Sequence, residues 1–143
     1  MSAPLGEPYD WYQRGIDFLQ RGDCAPAAIL LARVLDVEPD SITALEGYAR
    51  ALFDCGRFAE AAEAFAQLAE RVPDDDYAHF GLGSSLWRLQ RFTEARDELA
   101  MALVMRPGRS DYARALQQVK ATLRARAEAD LPLNGPVHQE PRF

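Results

Sequence analysis

The segment "CGRFAEAAEAFAQL" at residues 55–68 is followed by a near copy, "LQRFTEARDELAMAL", at residues 89–103. Aligning the two places Gly56, Phe58, Ala61, Phe65, Leu68 and Pro73 over Gln90, Phe92, Ala95, Leu99, Ala102 and Pro107, each pair 34 positions apart. The same step taken backwards reaches Gly22, Cys24, Ala27, Leu31, Val34 and Pro39. Three copies therefore run head to tail without a gap over 8–41, 42–75 and 76–109. A fixed period of this length restricts the fold strongly. Each unit buries its apolar face only by stacking on its neighbours, so the chain is an array rather than a globule around one centre.

Within each copy the apolar spacing is that of two helices. In the first, Trp11, Gly15 and Phe18 keep helical register, "RGD" at 21–23 breaks it, and Ala27, Leu31, Val34 and Leu35 resume it. Pro26 falls near the start of the second helix, where its missing N–H leaves no bond unmade, and Asp23 is the expected N-cap. The segments "EPD", "VPDD" and "RPGRSD" stop the second helices and open the next copy with cap-forming side chains. Strand-type alternation is absent, so the sequence reads as all-α. After Arg109 one more helix follows, with Leu116, Val119 and Leu123 as a narrow apolar stripe and Arg114, Gln117, Lys120 and Arg124 keeping its other faces polar. It is expected over 110–129 as a cap on the third copy. An extension precedes the array at 1–7, and Pro132, Gly135, Pro136 and Pro141 mark 130–143 as a flexible tail, with docking back as a ligand the less favoured alternative.

With these residues in place, the array resembles the tetratricopeptide repeat family, whose 34-residue helix–turn–helix follows W-x2-L-G-x2-Y, then A-x3-F, then P. The pattern appears as Trp11, Gly15, Phe18, Ala27, Leu31 and Pro39. It recurs as Leu45, Tyr48, Ala49, Leu52, Ala61, Phe65 and Pro73, and as His79, Leu82, Gly83, Leu86, Ala95, Leu99 and Pro107. Arg14, His79 and Cys24 depart from it, Cys24 standing where the other copies have Phe58 and Phe92. The resemblance implies an α–α superhelix of seven helices. It also implies that the first helices of the repeats line a concave groove holding a segment of a partner protein.

Charge narrows the partner. The net charge of −6 is uneven: residues 1–103 carry 9 basic and 18 acidic side chains, whereas 104–130 carry 6 and 3. An acidic body lacks the basic face that phosphate backbones require, so nucleic acid is not the expected partner. No stretch approaches the roughly 18 consecutive apolar residues of a membrane span. "MSAPLGEPYDW" has neither the basic start nor the apolar run of a secretory signal. Cys24 and Cys55, 31 positions apart without histidines nearby, form no metal-type pair or disulfide framework and read as reduced thiols. These features point to a cytoplasmic protein. Arginine supplies all but one of the 16 basic residues, the exception being Lys120, which suits a GC-rich bacterial genome.

Catalytic chemistry finds no footing. The histidines are His79, at a packing position, and His138, in the tail. HExxH, GxGxxG, GxxxxGK and GxSxG do not occur, and Asp74 to Asp76 fall where helix starts explain them. The sequence reads as non-enzymatic, with no cofactor and no metal site.

The first helix of each copy carries two stripes. One packs inward: Trp11, Gly15 and Phe18; Leu45, Ala49 and Leu52; Leu82, Gly83 and Leu86. The other holds Tyr9, Tyr12, Ile16 and Leu19; Thr43, Glu46, Arg50 and Phe53; Tyr77, Phe80, Ser84 and Trp87. By resemblance this second stripe lines the groove, and here it is aromatic. Tyr9, Tyr12, Ile16, Arg50, Phe53, Tyr77, Phe80, Trp87, Arg88 and Arg114 are the expected groove residues. Packing between helices competes with groove lining for these rings, most evenly at Leu19 and Phe53. Gly47 and Gly81 either leave room for a partner or let helices pack closely.

Family members that hold the acidic C-terminus of heat-shock chaperones present Lys, Asn and Arg at positions that are Tyr12, Ile16, Gly47, Tyr77 and Gly81 here, so that carboxylate clamp is absent. The expected function is a protein-binding adaptor or small chaperone for an apolar or amphipathic segment of another protein. It is similar in outline to the small three-repeat chaperones of bacterial secretion systems. An alternative has the aromatic face permanently buried, as a structural subunit of a homo-oligomer or fixed complex.

Overall fold

The computed structural model describes residues 7–137. Residues 1–6 and 138–143, with most of the expected N-terminal extension, the end of the tail and His138, lie outside the described residues. The helices are α1 (Glu7–Gln20), α2 (Cys24–Val37), α3 (Ile42–Asp54), α4 (Phe58–Arg71), α5 (Asp76–Arg88), α6 (Phe92–Met105) and α7 (Ser110–Glu128). The described residues contain no strand.

The repeat is visible in the turns as well as the helices. Gly22, Gly56 and Gln90, each 34 positions from the next, adopt left-handed backbone with φ of 84°, 77° and 61°. The following N–H then reaches back five residues: Asp23 to the Phe18 carbonyl at 2.8 Å, Arg57 to Leu52 and Arg91 to Leu86 at 2.9 Å each. This left-handed C-cap satisfies carbonyls that a helix end leaves orphaned. Ahead of α3 and α5 the caps are side chains: the Ala44 N–H donates to Ser41 Oγ at 3.2 Å and the Ala78 N–H to Asp75 Oδ1 at 3.1 Å. Asp23, the expected cap of α2, occupies that position but its carboxylate accepts no capping bond. Its φ of −88° and ψ of 73° lie outside the extended region that a capping side chain needs.

Two layers result. α1 touches α3, α3 touches α5 and α5 touches α7, whereas α2, α4 and α6 meet only the helices of the first layer. The layer whose members also touch one another has the smaller radius, so α1, α3, α5 and α7 form the inner, concave side of a superhelix. Leu45, Leu52, Phe65 and Leu68 fill the space between α3, α4 and α5. Leu86, Phe92, Leu99, Leu116, Val119 and Leu123 fill that between α5, α6 and α7. The apolar stripe of α7 is thus buried on the third unit. The glycines on the inner layer serve packing. A Cβ at Gly47 would lie 3.1 Å from Leu31 and 3.2 Å from Ile16, and one at Gly81 would overlap the Phe65 ring. The space a side chain would take at either position is already filled by neighbouring side chains.

Two expectations change. Cys24 and Cys55 are joined in a disulfide, with Cα atoms 5.5 Å apart, and are not reduced thiols. Stacking α3 on the α1–α2 pair brings the start of α2 against the end of α3, a proximity that a separation of 31 residues conceals. Residues 130–137, expected as a loose end, lie against the α5–α6 turn. There the Gly135 N–H donates to the Gln90 carbonyl at 2.8 Å, and the Thr93 N–H donates to Asn134 Oδ1 at 3.0 Å.

Candidate partner-binding groove

The inner layer presents two adjoining hollows. The first, of about 280 Å³, lies between α3 and α5 and is lined by Arg50, Phe53, Asp54, Phe65, Tyr77, Phe80, Gly81 and Ser84. The second, of about 420 Å³, continues from it towards α7 through Phe53 and Ser84, which line both, to Trp87, Arg88, Leu99, Ala115, Gln118 and Val119. Helical spacing explains the shared lining. Arg50, Phe53 and Asp54 lie within one turn of α3, and Tyr77, Phe80, Ser84 and Trp87 repeat along one face of α5.

Each ring on this face is supported by another ring. Phe53 meets Phe58 edge-on at 5.2 Å between centroids, Tyr77 meets Phe65 at 5.8 Å, and Trp87 meets Phe92 at 5.0 Å. Phe80 stacks on Tyr112 at 4.6 Å. All four groove rings are half-buried: one side packs and the other remains available. Held in this way, an aromatic side chain has little rotamer freedom left to lose when a ligand arrives. The Arg88 guanidinium lies 5.3 Å from the Phe58 ring centroid, which orients it beside the second hollow.

Charge in the groove is mixed. Glu46, on α3 one turn before Arg50, has its carboxyl pushed above the usual range, first by burial and then by the Asp75 carboxylate, with Arg50 pulling the other way. Burial also raises the Tyr77 phenol. A different hollow lies between α4 and α6 on the outer layer. It is lined by Ala59, Ala62, Glu63 and Ala66 on one side, Arg91, Glu94, Asp97 and Glu98 on the other, and Leu82, Leu86 and Leu89 from α5 and its end. Among the described residues, no group of three His, Cys, Asp or Glu side chains is placed to hold a metal ion.

A model of the tetratricopeptide repeat matches residues 12–76 and 49–110. The chain belongs to the tetratricopeptide repeat family. Among curated proteins, the protein CTR9 homolog of Arabidopsis thaliana is 29% identical over 104 residues, which cover 72% of this chain and 10% of that protein. The chain thus spans about a tenth of the length of that relative. Among solved structures, the first TPR of Spaghetti (RPAP3) bound to the HSP90 peptide SRMEEVD gives a TM-score of 0.78 at 18% identity, covering 82% of this chain and 94% of that one. MamA 41-end from Desulfovibrio magneticus RS-1 gives 0.81 at 19% identity, covering 88% and 71%. At these identities the likeness is one of fold.

In this tetratricopeptide repeat chain the expected groove residues separate into three sets. Arg50, Phe53, Tyr77, Phe80, Trp87 and Arg88 come together around the two hollows. Tyr9, Tyr12 and Ile16 stand on α1, away from the hollows. Tyr9 is 69% exposed, Tyr12 is half-buried, and Ile16 packs towards Gly47 and the Leu19 cluster. Leu19, from the same stripe, is buried. Arg114 is exposed on α7 but lines neither hollow; Ala115 and Gln118 do so instead. Asp54, Ala115 and Gln118 also line the hollows and are not among the expected groove residues. Helical spacing from Arg50 to Asp54 and from Arg114 to Gln118 was the available signal. His79 is held by its ring nitrogens, with Nδ1 2.7 Å from Glu98 and Nε2 3.2 Å from the Pro73 carbonyl. No helix among the described residues is long and apolar enough to cross a membrane.

Proposed function

We propose that this protein is a non-enzymatic adaptor or small chaperone that holds an apolar or amphipathic segment of another protein on its concave face. One observation carries the reading. Phe53, Tyr77, Phe80 and Trp87 surround two connected hollows, each ring backed by a second ring, with Arg50 and Arg88 at the margins. Half-exposed rings in a preformed concavity bury apolar side chains at small ordering cost on the receptor side. The solved RPAP3 domain with an HSP90 peptide supports the view that a superhelix of this shape can hold a short segment. Here the positions of the carboxylate clamp are Tyr12, Ile16, Gly47, Tyr77 and Gly81. The favoured ligand is therefore one anchored by apolar side chains, with an acidic group or carbonyl met by Arg50 or Arg88.

The test uses Ser84→Arg, because Ser84 lines both hollows and a long side chain there fills them without removing a packed ring. Wild type and variant, matched for helicity and melting temperature, are immobilised and exposed to extract of the native cell. A protein retained by the wild type and lost by the variant supports the groove. Equal retention by both overturns it.

A further inference from the structure

Residues 24, 58 and 92 open the second helix of successive units, and each reaches the unit that follows. Phe58 lies under Arg88 of α5, with 5.3 Å from the guanidinium to the ring centroid. Phe92 belongs to the cluster that holds Leu116, Val119 and Leu123 of α7. Cys24, with no ring to offer, is bonded to Cys55 at the end of α3. In the repeat register Cys55 corresponds to Leu89 and, one unit further, to Leu123. A covalent bond thus stands where the other units have an aromatic ring.

Most of the apolar packing at this junction comes from small residues around Leu31 of α2, which is fully buried against Gly47 of α3, with Ile16, Phe18 and Tyr48 half-buried beside them. The junction's cluster consists of Leu19, Ala27, Ala28 and Ala51, three of the four being alanine. Those of the other units are built from Leu45, Leu52, Phe65 and Leu68, or from Leu86, Phe92, Leu99 and Leu116. In a repeat array, stability is roughly a sum of unit terms and nearest-neighbour interfaces, and the α1–α2 pair, which among the described residues meets only α3, frays before units packed on both sides. Both cysteines are half-buried, so a small thiol can reach the bond.

We propose that Cys24–Cys55 is a redox-controlled tie: oxidised, it holds α1 and α2 on the stack, and reduced, it releases them from α3 while α4 to α6 stay folded. The bond forms by exchange with a low-molecular-weight disulfide. The Cys24 and Cys55 thiols lose two protons and two electrons and gain one S–S bond, while the incoming disulfide is cleaved to two thiols. A dithiol reverses the step and is itself oxidised to a disulfide. The consequence for binding rests on the groove reading: α1 supplies Tyr9, Tyr12 and Ile16, so reduction would remove one end of the concave face and leave the hollows between α3, α5 and α7.

The test is hydrogen exchange of the full chain without any partner, oxidised and after dithiothreitol, beside the double variant Cys24→Phe, Cys55→Leu, which installs the residue types of the later units. Closing a loop of this size restricts the unfolded chain enough that reduction is expected to speed exchange in 7–37 by roughly 100-fold, with 58–105 unchanged. The double variant is expected to be protected and indifferent to reductant. Unchanged exchange in 7–37 on reduction, equal acceleration through all seven helices, or a double variant that responds to reductant overturns the proposal. Because no ligand is present, these outcomes are separate from failure of the groove reading.

Discussion

Tyr112 of α7 lies flat against Phe80 of α5, with ring centroids 4.6 Å apart and planes inclined by 25°, and its hydroxyl donates to Asp76 Oδ2 at 2.7 Å. Tyr112 is fully buried. One residue therefore fixes the last helix to the inner layer and sets the ring that lines the first hollow. Tyr112→Phe keeps the stack and deletes the bond, and is expected to lower stability by about 1.5 kcal/mol at neutral pH. Burial first, and Asp76 second, push the phenol well above its ordinary value, which is about 10. A raised folded-state pKa means that the contribution is complete below about pH 10 and is lost as pH rises beyond it. Urea titrations should show the wild type losing stability more steeply than Tyr112→Phe on that alkaline limb.

Gly81→Ala tests the packing role of a groove glycine. The added methyl would overlap the Phe65 ring, which is 2% exposed and cannot swing into solvent without opening the core between α3 and α5. The expected loss is about 1–3 kcal/mol, despite the better helix propensity of alanine. Chemical denaturation checks it; a stabilised variant would show that the ring has somewhere to go.

Much of this was legible in the sequence, for reasons specific to repeats. A strict 34-residue period carries the helices, the turns at Gly22, Gly56 and Gln90 and the inner-layer stripes together, because each unit repeats one solution to the same packing problem. Contacts outside that period were hidden. Cys24 and Cys55 differ in repeat position and meet only because one unit stacks on the next. Asn134 and Thr93 are 41 residues apart and belong to no pattern. The hollows depend on which side of each ring is covered. That is decided by Phe58, Phe65, Phe92 and Tyr112 behind them, and a stripe drawn on one helix does not show it.

At Gln90 the chain holds left-handed backbone without glycine, at φ 61° where Gly22 and Gly56 sit at the matching turns. A side chain in that region is unfavourable by about 1 kcal/mol or more, partly offset by the greater freedom glycine gives the unfolded chain. Gln90→Gly should therefore stabilise by about 0.5 kcal/mol, seen as a higher urea midpoint at unchanged slope.

Glu46 carries a pH signature of the opposite kind from a salt-bridged acid. Burial and Asp75 raise its pKa in the folded state, so folding favours its protonated form. Its favourable contribution is present below the unfolded value of about 4.3 and is lost as pH rises through the folded value. Glu46→Gln should accordingly be more stable than wild type at pH 7, with the gap closing as pH falls below about 4. Thermal melts from pH 3.5 to 7.5 read the trend, and a gap that widens on acidification would contradict it.

The segment after α7 supplies a cap that α6 lacks. Arg91, at the N-cap position, offers no side-chain bond, and Asn134 accepts from the Thr93 N–H at 3.0 Å in its place. Arg126 holds the segment there by donating to the Pro132 carbonyl at 3.1 Å and the Gly135 carbonyl at 2.7 Å, with its guanidinium 4.7 Å from the Phe92 ring centroid. Asn134→Ala should cost about 0.5–1 kcal/mol, the lower part of the range for caps because the site is exposed. Arg126→Ala removes both carbonyl bonds and should free residues 130–137 while leaving α6 helical. Limited proteolysis separates the two roles: faster cleavage within 130–137 in Arg126→Ala, at a rate in α1 to α5 equal to wild type, is the expected result. If cleavage is unchanged, the segment is held by the Gly135–Gln90 and Asn134–Thr93 bonds without help from Arg126.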